Sequence, residues 1–219
     1  MKKALIGLFA GHGQTVELES QGRAGFLLCF DSNLDLDDTR SVADWREQAL
    51  EMHELGKIAQ RMKARHVLFL ADACYSGFLG RRAGDGERKD LTALARLPSR
   101  VEMTAGTEEQ HALEYGDLKH GVFTHQLLKH LDADVGQSAT ELFAAVRRGV
   151  ANHTNNLMLP QYREITIENG EFVFLPRSVT GSDVASEIVE MNRRINQRSS
   201  KRTTMVDLFK AYDALSYGS

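Results

Sequence analysis

Residues 67–77, Val-Leu-Phe-Leu-Ala-Asp-Ala-Cys-Tyr-Ser-Gly, constrain this chain more than any other stretch. An apolar run as short as 67–71, with no polar alternation, reads as a strand covered on both faces. Such a strand belongs in an α/β fold, within a mostly parallel sheet flanked by helices. The run ends in a polar turn carrying Asp72, Cys74, Ser76 and Gly77. In open parallel sheets the chemistry sits at the carboxyl ends of strands. Cys74 is therefore presented where a nucleophile is useful, and Asp72, two residues earlier, points to the same side if strand geometry reaches that far.

The remaining composition narrows the class. The chain has 219 residues, 42% of them hydrophobic, which suffices for one large domain with a sizeable core. A formal charge of −3 argues against a general nucleic-acid or membrane-surface binder. No apolar run approaches the roughly 18 residues that span a bilayer. Lys2 and Lys3 precede only a brief apolar stretch, so no signal peptide is expected. Cys29 and Cys74 do not make a disulfide framework, and a reducing cytoplasm is the expected setting.

In chain order, residues 4–10 form a second short apolar run that ends in Gly11-His12-Gly13, predicting a strand and then a glycine-flanked histidine loop. Residues 15–18 and 26–30 predict a hairpin, with Cys29 as an inert core residue. Residues 31–38 hold Asp31, Asp35, Asp37 and Asp38, either a solvated acidic loop or a calcium-binding one without EF-hand spacing. Residues 45–63 predict one helix, with Leu55, Ile58, Ala59 and Met62 on its apolar face. Residues 79–100 hold six Arg or Lys residues and show little apolar periodicity. They predict a long exposed loop, solvated or a cleavable linker. A strand over 100–105 follows, then a helix over 122–131. A capping box, Ser138 to Glu141, opens another helix carrying Leu142, Phe143, Val146 and Val150. Asn169-Gly170 between residues 165–167 and 172–174 signals a hairpin. Composition shifts after Pro176. Residues 1–176 are expected to form the main domain, and residues 177–219 a linker with a short terminal helix.

A thiol nucleophile needs a base and a site for the developing oxyanion. Taken alone, His12 reads as a turn histidine and Cys74 as a buried structural cysteine. Together they have matching contexts, each following a short apolar strand and each near glycine. Neighbouring strand ends would let the imidazole deprotonate the thiol, or hold it as thiolate, and later protonate a leaving amine. The backbone N–H groups of Gly13 and Cys74 are candidate oxyanion donors. A phosphate-binding module built on residues 10–13 is the weak alternative, because no P-loop or dinucleotide fingerprint is present.

Ala10-Gly11-His12-Gly13 together with Asp72-Ala73-Cys74-Tyr75-Ser76-Gly77 resembles the caspase-like cysteine peptidases, in their metacaspase and prokaryotic branch. Thr104-Ala105-Gly106-Thr107, Ala112-Leu113-Glu114 and Gly121-Val122-Phe123-Thr124 support the likeness. The histidine of caspases lies about 50 residues before the cysteine, and the spacing here is compatible. The resemblance implies a His12/Cys74 dyad that cuts peptide bonds through an acyl-enzyme. Where caspases have Gln two residues before the cysteine, this chain has Asp72, which in the metacaspase-like branch lines the S1 pocket and selects Arg or Lys. A carboxylate there attracts a cation and repels an acidic side chain. Asp72 could instead cap a turn or pair with an arginine. Glu108 and Glu109 are further pocket candidates.

A peptidase of that specificity could cut itself after Arg82, Arg88 or Lys89, or within residues 198–202. It could also require a partner, a signal or a second copy for activation. The alternative is a catalytically silent caspase-like scaffold. The family's domains carry two strands and a helix before the histidine-bearing strand. Only eleven residues precede His12, so the sheet is expected to lack those first strands and to leave residues 4–10 as an edge. The pocket acid that the family supplies from its first strand's loop would also be missing. No cofactor or metal is expected. The acidic pair that precedes Glu-Met-His in calcium-dependent metacaspases is Ala49-Leu50 here, which leaves calcium only to the loop at 31–38.

Overall fold

The computed structural model describes residues 4–18, 22–29, 32–34, 41–74, 81–82, 91–107, 120–133 and 135–175. The chain opens with β1 (Ala4–Ala10), β2 (Gly13–Leu18) and β3 (Gly22–Leu28). Next come α1 (Val42–Gln48), β4 (Ala49–Glu51), α2 (Met52–Arg61) and β5 (His66–Cys74). After β5 follow β6 (Arg81–Arg82), α3 (Leu91–Leu94), β7 (Ser99–Gly106) and α4 (Val122–Leu131). The described chain closes with β8 (Gln137–Ser138), α5 (Ala139–His153), β9 (Gln161–Glu164) and β10 (Val173–Phe174).

The central sheet runs β1-β5-β7-β9-β6. β1 and β7 both pair parallel with β5, while β9 runs antiparallel to β7 and to β6. Among the described strands four therefore point one way and only β9 opposes them, which is the mostly parallel α/β sheet the apolar runs imply. β1 sits at one edge among the described strands, as expected. β5 is apolar on both faces because both faces are covered. Leu68 and Leu70 enter a core with Val101 and Met103 of β7, Phe123 and Leu127 of α4, and Leu142, Val146 and Val150 of α5. Val67, Phe69 and Ala73 face the other way, against Met52, Leu55 and Ala59 of α2 and Leu27 of β3.

Three local expectations are corrected. The single helix expected over 45–63 is two, separated by β4. Leu50 pairs with Leu27 of β3 and is buried beside it, so the chain takes three extended residues to complete a β2-β3-β4 sheet. Ser41 and Asp44 form a capping box that starts α1, whose Trp45 packs on Phe26 with ring centroids 5.6 Å apart. The stretch 79–100 is not wholly loop. Arg81 and Arg82 pair with Glu164 and Arg163 in the sheet, Leu91–Leu94 is helical, and β7 begins at Ser99.

The third correction concerns Asn169-Gly170. The chain turns there, with Asn169 at φ 55°, but no hairpin forms. A Cβ on Gly170 would lie 2.2 Å from the Pro98 carbonyl oxygen, so the turn lies flat on the α3–β7 connection. β10 pairs instead with β8. Residues 177–219 and the acidic residues Asp31, Asp35, Asp37 and Asp38 lie outside the described residues.

β7 is buried along its whole length, polar residues included. Arg100, 9% exposed, donates from Nε to the Ala59 carbonyl and from Nη2 to the Met62 and Ala64 carbonyls. These oxygens close the C-terminal end of α2, where a helix leaves carbonyls unsatisfied and favours a cation. Arg100 Nη1 also reaches both oxygens of Glu168, at 2.7 and 2.6 Å.

Glu102 lies beside a small cavity lined mainly by apolar side chains, among them Phe9, Met52, Leu55 and Phe69. Desolvation raises its pKa to about 7, opposed by Arg163, its register partner on β9. The folded state thus holds this proton more tightly than the unfolded chain. Its contribution to stability is present below about pH 4.5 and is lost as pH rises towards 7, by at most about 3 kcal/mol. The wild type's thermal midpoint is therefore expected to fall between pH 5 and pH 8, and Glu102→Gln to remove that fall. Parallel midpoint-versus-pH curves for the two proteins would contradict this.

Candidate active site

β1 and β5 run side by side to their carboxyl ends. Their register pairs Leu8 with Leu70, Phe9 with Ala71 and Ala10 with Asp72. The last of these pairs is closed by the Gly11 N–H, which donates to the Asp72 carbonyl at 3.3 Å. His12 lies two residues beyond Ala10, and Cys74 two residues beyond Asp72. The two backbones therefore reach the same sheet end on adjacent strands. On its other side β5 changes register against β7 between Ala71 and Cys74, and Cys74 pairs with Gly106. Irregularities of this kind re-aim the residues that follow them and are common next to active sites.

The loop after β1 is short and tied down. The His12 carbonyl accepts from Leu28 N–H at 2.9 Å, and Gly13 opens β2 opposite Leu27. Bonded and non-bonded positions alternate along an antiparallel pair. With 12 and 28 at a bonded position, 13 and 27 fall at a non-bonded one, so the Gly13 N–H points away from β3. The His12 side chain is exposed at this sheet end.

Asp72 is 7% exposed and has the same strand parity as Leu68 and Leu70, towards α4 and α5. Its Oδ2 accepts from Thr124 at two points, the hydroxyl at 2.6 Å and the backbone N–H at 3.2 Å. Thr124 is the third residue of α4, so Asp72 caps that helix from another element. This is the structural role the sequence allowed for it, played against a helix start rather than a local turn. A buried carboxylate suits the partial positive charge of a helix N-terminus. Gly121, the N-cap, leaves room for it: a Cβ there would lie 2.4 Å from Oδ2. In the sequence Gly121 and Thr124 read as the opening of a helix and as part of the family likeness, not as partners of Asp72. The signal available was a glycine N-cap whose first turn holds no carboxylate of its own.

The other expected site residues fall elsewhere. Glu108, Glu109, Arg88 and Lys89 lie outside the described residues. The backbone of Arg82 is in β6, at the edge of the central sheet opposite β1. The place where calcium-dependent metacaspases carry an acidic pair does not fit a metal. Ala49 and Leu50 form β4, Leu50 is buried in apolar surroundings, and Glu51 is paired with Arg46 at 2.8 Å. Among the described residues no cluster of three or more His, Cys, Asp or Glu side chains could hold a metal ion.

The sheet and its two cores define a three-layer α/β protein in which His12 follows β1 and Cys74 ends the neighbouring parallel strand β5. The caspase domain of peptidase family C14 matches residues 2–169. The chain belongs to that family, the caspase-domain cysteine peptidases. No curated protein matches it. Among the described residues no helix is long and apolar enough to cross a membrane.

Proposed function

We propose that the chain is a cysteine endopeptidase of the metacaspase-like kind, with His12 and Cys74 as its catalytic dyad and a preference for Arg or Lys at P1. The observation that supports this is the strand register: Ala10 lies opposite Asp72, and His12 and Cys74 each follow two residues later on these adjacent parallel strands. Family membership supplies the class of chemistry and implies polypeptide substrates.

In this reading His12 takes the thiol proton, and the Cys74 sulfur attacks the scissile carbonyl carbon. The N–H groups of Gly13 and Cys74 hold the oxyanion. The protonated imidazole gives its proton to the leaving amine as the C–N bond breaks. Water, deprotonated by His12, then attacks the thioester, releases the acid and restores the thiol. The Asp72 carboxylate, beside the nucleophile, receives the cationic P1 side chain, with Glu108 and Glu109 as further acids of that pocket. No metal takes part in this scheme. We place the enzyme in the cytoplasm, since the chain offers no disulfide framework.

The test is turnover of an arginyl-coumarin tripeptide, alongside its lysyl and aspartyl counterparts. The Arg and Lys peptides are expected to be cut, the Asp peptide left intact, and Cys74→Ala to abolish cutting. Intact masses of the two proteins read self-processing after Arg82, Arg88 or Lys89. Arg82 is held in β6, so a cut there needs β6 to leave β9. Identical intact masses would remove self-processing. A folded wild type with no turnover, alone or with added Ca²⁺, would favour the silent scaffold or a missing activating partner.

A further inference from the structure

We propose that Thr124 is a positioning residue that fixes the Asp72 carboxylate and thereby sets the discrimination for a cationic P1 side chain. This rests on the S1 role proposed for Asp72. An aspartate on a strand end can swing about its side-chain torsions. Here Oδ2 is fastened twice by one residue, through a hydroxyl at 2.6 Å and a backbone N–H at 3.2 Å. The hydroxyl distance is in the short range that charged acceptors produce.

The floor beneath the carboxyl is equally specific. A Cβ on residue 121 would meet Asp72 Oδ2 at 2.4 Å, and Cγ and Oδ1 at 2.9 Å. The carboxyl group thus occupies the space that any other residue at 121 would need. Asp72 is buried, and α4 starts on Gly121 with no side-chain cap of its own. The helix start therefore takes its capping carboxylate from β5, two residues before Cys74. A cationic side chain arriving there finds its counter-charge already placed. Binding then does not carry the cost of ordering it.

Losing a hydrogen bond to a charged group weakens recognition by roughly tenfold or more. The test measures binding on the full chain carrying Cys74→Ala, so that turnover is not needed. Calorimetry compares a tripeptide amide ending in arginine with its citrulline counterpart, the same shape without the charge. The parent is expected to prefer arginine, and Asp72→Asn to abolish that preference. Thr124→Val, which keeps shape and backbone but drops the hydroxyl, is expected to cut it about tenfold. Thr124→Ser is expected to retain it.

Gly121→Ala, which leaves the hydroxyl but displaces the carboxyl, is the second route to the same loss should Thr124→Val fail to fold. A merely structural Thr124 would lower the affinity for both peptides equally. If Asp72→Asn abolishes the preference while Thr124→Val and Gly121→Ala leave it intact, the positioning role is overturned and the S1 reading stands. If the parent shows no preference, or Asp72→Asn leaves it unchanged, the S1 reading fails and the positioning role falls with it.

Discussion

With His12 replaced by alanine, cutting of an arginyl-coumarin peptide is expected to fall by roughly 10²–10⁴-fold while the fold survives. That range is what a positioned general acid–base contributes. In the proposed scheme His12 works twice, taking the thiol proton and then protonating the amine, so the upper part of the range is expected. Its side chain is exposed, and its backbone bond to Leu28 does not depend on the imidazole. The change in stability should therefore stay within about 0.5 kcal/mol, as for other surface substitutions. Steady-state kinetics and a thermal melt on the same preparation read both. A variant that keeps more than half its activity would show that another group supplies the base.

Arg100→Met is expected to cost the scaffold about 2–4 kcal/mol. Methionine fills much of the volume but donates nothing. The carbonyls of Ala59, Met62 and Ala64 would lose their buried donor, and Glu168 its two short contacts. Glu168 keeps 29% of its side-chain surface, which holds the estimate below that for a fully buried pair. Adding Glu168→Gln should recover part of the loss, because the stranded carboxylate is gone. Urea unfolding measures both, and a single-variant cost below about 0.5 kcal/mol would contradict the role given to Arg100. The consequence reaches the site as well. α2 packs on β3, and Leu28 of β3 holds the His12 backbone.

The parts of this fold that the sequence made legible are those whose signals are local. Residues 4–10 became β1 with those bounds, an apolar run of strand length that a glycine-rich turn ends. Ser138 and Glu141 cap α5 reciprocally, as their spacing requires. The unforeseen parts are decided by partners far away in sequence. β4 has no periodicity of its own at three residues and exists because Leu50 finds Leu27. Asn169 and Gly170 turn the chain as their chemistry dictates, but the carbonyls of Leu97 and Pro98 decide where the turn lies. The site divides the same way. The strand ends bearing His12 and Cys74 were readable as two apolar runs followed by glycine-rich polar turns. That Thr124 would hold Asp72 was not: a glycine N-cap with no acid in its first turn signals only a missing cap, and the packing of α4 on β5 decides which carboxylate supplies it.

The most direct test is labelling with an arginyl chloromethyl ketone, followed by peptide mapping. The proposed dyad predicts one adduct, on Cys74, formed at least about tenfold faster than in His12→Ala and blocked by excess arginyl peptide. Preferential labelling of Cys29, or labelling of Cys74 at the same rate with and without His12, would contradict it.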